Sequence, residues 1–175
     1  MSTELPTRIQ SNLRGARVTI VAASYNGKYV DALVANAKAE LEEAAPFAEV
    51  DVVRVPGAFE VPMMVKRVID AEKPDAVIAF GVILRGSTAH ADLVGTAVTN
   101  QLLSISCDTQ VPVIHEVLLL DNEEQAFARC VAAALNRGRE AARTAVRMLE
   151  LIEERFGLNS GLQRRQNISP TGSLL

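Results

Sequence analysis

Four apolar, largely β-branched runs recur along this chain, and each leads into a stretch whose apolar residues fall at helical spacing. This alternation constrains the fold more than any other feature. Strand–helix repeats joined by short connections close into a parallel sheet with helices on both faces, and right-handed crossovers fix most of the topology. The first run, residues 17–24 (RVTIVAAS), reads as a buried strand. Residues 28–43 place Val30, Leu33, Val34, Ala37 and Leu41 on one helical face, and Ala44-Ala45-Pro46 closes that helix. Residues 48–55 form a second strand and residues 58–71 a second helix, with Pro62 tolerable only in its first turn. Residues 75–84 (DAVIAFGVIL) are nearly all apolar, as in a strand covered on both faces. A third helix is expected over residues 87–106, capped by Ser87 or Thr88, and a fourth strand over 111–120. Asn122 to Gln125 has helix-start spacing, and the last helical run reaches about Phe156, broken near residues 136–138. The expected fold is a three-layer α/β/α sandwich around a four-stranded parallel sheet.

A chain of 175 residues, 49% of them hydrophobic, is expected to make one core. We divide it into a flexible arm (1–12), one domain (13–156) and a disordered tail (157–175) rich in Ser, Gly, Asn and Gln. The net charge of −3 is spread along the chain, which argues against nucleic-acid binding. No apolar run reaches membrane-spanning length, and the first twelve residues lack a secretory pattern. Cys107 and Cys130 lie far apart with no histidine at metal spacing, and read as buried apolar residues in a reducing cytoplasm.

In open parallel sheets, ligands bind at the carboxyl ends of the strands. The strongest segment there is Arg85-Gly86-Ser87-Thr88-Ala89-His90. Gly86 permits a tight turn, and Ser87 and Thr88 at a helix start offer hydroxyls beside free N–H groups, which suits a phosphate. They are equally ordinary caps. His90, about one turn into the helix, would have its imidazolium disfavoured by the dipole and restored by a bound phosphate, a balance suited to proton transfer. Arg129 shares a face with Gln125, four residues earlier, and is either an inward phosphate ligand or a solvated arginine. Arg137 has the same two readings. Val55-Pro56-Gly57-Ala58-Phe59-Glu60 brings backbone N–H groups, an aromatic ring and a carboxylate to the second strand's end. That set can read a flat heterocycle, or can simply be a turn with a dipole-favoured Glu60. Tyr25-Asn26 adds a ring able to stack on a planar ligand. The sequence lacks dinucleotide, P-loop and nucleophile-elbow motifs, and its two histidines make a catalytic metal improbable.

Taken together, Tyr25-Asn26, VPGAFE at 55–60, GVILRGSTAH at 81–90, VPVI at 111–114, EQAFAR at 124–129 and Asn136-Arg137-Gly138 resemble the lumazine synthase family, in order, over residues 12–150. The resemblance implies a flavodoxin-like fold. It also implies condensation of 5-amino-6-(D-ribitylamino)uracil with 3,4-dihydroxy-2-butanone 4-phosphate to 6,7-dimethyl-8-ribityllumazine, without cofactor or metal. Tyr25 would stack on the pyrimidine. Ala58, Phe59 and Glu60 would hold the uracil and ribityl chain, and Val82, Ile83 and Leu84 would line the pocket. Ser87, Thr88 and Arg129 would bind the ketose phosphate, with Arg137 where the family often has lysine. His90 would transfer protons. The resemblance further implies a homo-oligomer, either a pentamer or a sixty-subunit shell, with active sites between subunits, and riboflavin synthase as a candidate partner.

The chain departs from the family pattern at the fourth strand. His115 stands at the usual aromatic position, Glu116 where glycine is common, and Leu119-Leu120 where two threonines are common. The His115 ring can still stack on, or hydrogen-bond to, the pyrimidine; His115 and Glu116 can also change which ligand is held, and the alternative reading is a non-catalytic flavin- or lumazine-binding or storage protein of the same fold.

Overall fold

β1 (Arg17–Ala23) and β3 (Ala76–Leu84) are the central strands of a sheet ordered β2-β1-β3-β4, with β2 (Glu49–Val55) and β4 (Val113–Leu120) at its edges. Every pairing is parallel, as the strand–helix alternation requires. This computed structural model describes residues 5–157. The tail expected over 157–175 lies, apart from Gly157, outside the described residues.

Side chains alternate across the sheet and divide the core in two. Val18, Ile20, Ala22, Ile78, Phe80 and Val82 pack under α1 (Gly27–Ala44) and α5 (Arg137–Phe156). Val21, Ala23, Val77 and Ala79 pack under α2 (Val61–Glu72) and α3 (His90–Thr109). The sandwich therefore has the three layers expected. β3 is buried along most of its length, so its sequence shows a continuous apolar run instead of alternation.

Several boundaries differ from expectation for local reasons. β4 starts at Val113, not 111, because Pro112 has no N–H to give the ladder; its carbonyl still accepts from Val77 N. A 3₁₀ turn (Ala58–Glu60) precedes α2, and Pro62 falls in the first turn of that helix, as required. α3 begins at His90, with Ala89 in the cap position and no side-chain cap, so Ser87 and Thr88 remain in the loop. Arg85 accounts for the delay. Its N–H donates to Leu120 O at 2.8 Å, and its guanidinium bonds Asp121 (3.0 Å) and Asp92 (2.7 Å), holding the chain along β4. Cys130 is buried as expected, but Cys107, near the end of α3, is exposed. Its helix turns that position to the surface.

The last helical stretch breaks more widely than expected. α4 (Glu123–Ala126) passes into a π turn (Phe127–Val131), where Ala132 N donates to Phe127 O at 2.9 Å. Helix resumes at Arg137 under the cap of Asn136, which is fully buried. Its Oδ1 accepts from Gly138 N (3.0 Å) and Arg139 N (3.2 Å), and its Nδ2 donates to Cys130 O (2.8 Å). One side chain thus joins both ends of the break. At Gly138, α5 crosses α1 so closely that an added Cβ would lie 2.3 Å from Leu33 O.

Residues 5–14 run along α1 and α5. Glu40, buried on α1, accepts from Arg8 Nε (2.5 Å) and Arg143 Nε (2.7 Å), while Arg143 also bonds Pro6 O (2.7 Å). Burial alone would raise the Glu40 carboxyl; the two guanidiniums outweigh it and hold the group near 2. Among the described residues no helix is long and apolar enough to cross a membrane.

Candidate active site

The candidate residues come from two sets of elements on the protomer. The first lies at the carboxyl ends of β1, β2 and β3. Ser24 N donates to Val55 O (2.8 Å) and Tyr25 N to Pro56 O (3.0 Å), so the β1 and β2 ends are pinned together. Tyr25 lies against the turn: a Cβ on Gly57 would be 3.0 Å from its ring, so a larger residue there would press on the tyrosine. The same Gly57 donates to Glu60 Oε2 at 2.9 Å. One oxygen of Glu60 thus closes its own turn, as the plainer of its two readings holds. Tyr25 and Phe59 remain 70% and 63% exposed, two aromatic rings presented outward beside one another's loops.

β3 supplies the floor. Ala58 packs beside Gly81, where an added Cβ would stand 3.4 Å from its methyl. Val82 points into the core, and its carbonyl accepts from Asn26 Nδ2 at 2.7 Å. Ile83 and Leu84 are half-buried, on opposite faces of the sheet. Asn26 caps α1 from the left-handed region (φ 56), a conformation asparagine tolerates. This tie between strand ends was not read from the sequence, although an Asn-Gly pair after a strand signals it.

The loop at residues 85–90 leaves β3 on this side and is exposed along its length. The guanidinium of Arg85 is occupied by its two aspartates, and its pKa is raised mainly by Asp92. Among the described residues, no acceptor meets the N–H groups of Gly86, Ser87, Thr88 or Ala89. His90 is the first residue of α3, not one turn in, and its N–H makes only a long 3.5 Å contact to Thr88 Oγ1. Hydroxyls, unclaimed N–H groups and an imidazole therefore sit together at the start of a twenty-residue helix. That geometry suits a phosphate with a proton carrier beside it.

The second group lies on and beside β4. His115 pairs in register with Ala79, well back from the strand's carboxyl end at Leu120. Its Nδ1 accepts from Val117 N (3.0 Å), so a neutral ring carries its proton on Nε2 and donates to Thr99 Oγ1 (2.8 Å), which in turn donates to Gly95 O (2.8 Å). Burial lowers its pKa, so the ring stays neutral and both edges are used within the chain. Only its face is left for a ligand.

Arg129 sits, half-buried, in the π turn and not on a regular α-helix. Gln125 does not point to it; its side chain bonds Asp121 instead, through Oε1 to the N–H (3.0 Å) and Nε2 to the carboxylate (3.1 Å). A single π turn re-aims the side chains around it and is common at functional sites. Arg137, the first residue of α5, is 7% exposed and paired with Glu140. Both guanidiniums lie within electrostatic reach of Glu116 on β4. Among the described residues there is no cluster of His, Cys, Asp and Glu able to hold a metal ion.

A family model described as 6,7-dimethyl-8-ribityllumazine synthase matches residues 15–153. The chain belongs to this family. It is 38% identical over 143 residues to the 6,7-dimethyl-8-ribityllumazine synthase of Halorhodospira halophila, covering 81% of this chain and 92% of the relative. The enzyme of that name from Desulfotalea psychrophila is 36% identical over 152 residues, covering 85% of this chain and 98% of the relative. The one from Chlorobium phaeobacteroides is 39% identical over 142 residues, covering 81% and 92%. For a lumazine synthase, the two residue groups described above contain every position at which the sequence resemblance placed a substrate contact.

Proposed function

We propose that this chain is a working lumazine synthase. It condenses 5-amino-6-(D-ribitylamino)uracil with 3,4-dihydroxy-2-butanone 4-phosphate to give 6,7-dimethyl-8-ribityllumazine, phosphate and water. The observation that carries the reading is the loop at 85–90: unclaimed N–H groups and two hydroxyls at a helix start, with an imidazole alongside. In the reaction, the 5-amino group of the pyrimidine attacks the ketone and forms an imine with loss of one water. Phosphate then leaves, the ribitylamino nitrogen closes the ring on the remaining carbonyl carbon, and a second water is lost. Tyr25 and Phe59 hold the planar pyrimidine, with the free edge of the turn at residues 57–60 as its polar guide. Ser87, Thr88 and Arg129 hold the phosphate, with Arg137 supporting it, and His90 moves protons between the amine, the carbonyl and water. Holding two substrates against each other supplies much of the acceleration.

We further propose that one complete site uses two protomers. Residues 25, 58–60, 82–84, 87, 88 and 90 come from one, and residues 115, 129 and 137 from its neighbour. The support is the exposed apolar surface at Tyr25, Phe59, Leu93, Leu103 and Phe127, which leaves a face for a neighbouring protomer. We place the assembly, a pentamer or a shell built from pentamers, in the cytoplasm, where an exposed thiol such as Cys107 stays reduced.

The test is a condensation assay with purified chain and both substrates at millimolar concentration. Formation of the fluorescent lumazine with one inorganic phosphate per product is expected. No product under those conditions overturns the assignment.

A further inference from the structure

One buried ionisable group has no place in the reaction as described. On β4, Ile114, Glu116, Leu118 and Leu120 face the α1 and α5 layer, and all but Glu116 belong to its apolar core. Glu116 is 9% exposed and sits in register beside Phe80 of β3. Among the described residues no hydrogen bond reaches its carboxyl, although buried carboxylates almost always have donors. The charged and titratable groups facing it come from each element above. α5 contributes Arg137 and Glu140, and the π turn contributes Arg129 and Cys130. Beyond Cys130 lies Tyr29 of α1, whose hydroxyl donates to Glu123 of α4 at 3.0 Å.

We propose that Glu116 is a positioning residue of the phosphate subsite: neutral, it leaves the field of Arg129 and Arg137 to the phosphate ester, and ionised, it competes with the ester for that field. This rests on the phosphate role given above to the two arginines. The charge count explains the effect. With Glu116 neutral, Arg129, Arg137 and Glu140 together carry a net positive charge; with it ionised, the four groups sum to zero. Burial pushes the Glu116 carboxyl up to about 8, against the pull of Arg137 and Arg129, so the change falls just above neutral pH. A phosphate monoester, with its second pKa near ~6, is already a dianion through this range and adds no titration of its own. Binding of the ester above the midpoint therefore takes up a proton on Glu116.

The experiment measures KM for the ketose phosphate and for the pyrimidine from pH 7 to 9.5 in the wild type, Glu116→Gln and Glu116→Leu. In the wild type, the ketose phosphate KM is expected to rise roughly ten-fold as one proton is lost, with the pyrimidine KM flat. Both variants should show a flat ketose phosphate KM, because each fixes the subsite in its uncharged form. An equal rise in wild type and variants, or none in the wild type, overturns the proposal. A purely structural Glu116 would change stability or kcat without removing the pH dependence. Calorimetric titration with inorganic phosphate from pH 8 to 9.5 reads the same linkage without turnover. A protein that binds phosphate with this pH dependence yet makes no lumazine would contradict the enzyme reading and leave the Glu116 proposal standing.

Discussion

In the proposed reaction His90 and Arg129 carry separable tasks, so their substitutions should separate in kinetics. Arg129→Ala removes a charged partner of the phosphate, costing about 1.5–3 kcal/mol of binding, or roughly ten- to a hundred-fold in the ketose phosphate KM. The pyrimidine KM should hold. An unchanged ketose phosphate KM in steady-state assays would contradict the phosphate role. His90→Ala should act mainly on kcat, lowering it about a hundred-fold or more, because it removes a proton carrier at the first position of α3. A variant with full kcat would show that protons move by another route. His115 contrasts with both. It is also a histidine in the candidate set, but its two nitrogens are engaged by Val117 and Thr99, which leaves only its ring face open.

At the scale of elements, the joint between α1 and α5 leaves no room for a side chain. Gly138 meets Leu33 O of α1, and backbone cannot move aside as a flexible side chain can. Gly138→Ala should therefore destabilise the protein by about 1–3 kcal/mol or more through overpacking, read as a lower midpoint in chemical denaturation. A midpoint equal to wild type would show that the helices can separate freely. Strand and helix order was legible in the sequence because apolar period and turn residues agree at each step, as in residues 76–84. Three features were not. The start of α3 shifted because Arg85 bonds residues up to 36 positions away, a contact no local pattern encodes. The π turn at Phe127–Val131 differs from an α-helix by one residue, which periodicity over so short a stretch does not reveal. Cys107 is apolar by type, yet its exposure depends on which helix face meets the sheet. The site was legible as segments, since ligands gather at strand ends; the internal engagements of Glu60 and Gln125 were visible only once the turns were folded.

For the whole molecule, the proposed site needs the phosphate loop of one protomer together with the guanidiniums of another. Co-assembly of two disabled chains tests it most directly. His90→Ala spoils one half of each site and Arg129→Ala the other. Each homogeneous assembly is impaired at every site. In a mixed assembly, about a quarter of the sites formed at random between neighbours in a closed ring join two intact halves. The two variants, unfolded together and reassembled at equal amounts, should recover about a quarter of wild-type condensation activity with the ketose phosphate held well below the wild-type KM, where the Arg129→Ala defect is expressed. Activity no higher than the mean of the two separate variants would contradict a site shared between protomers.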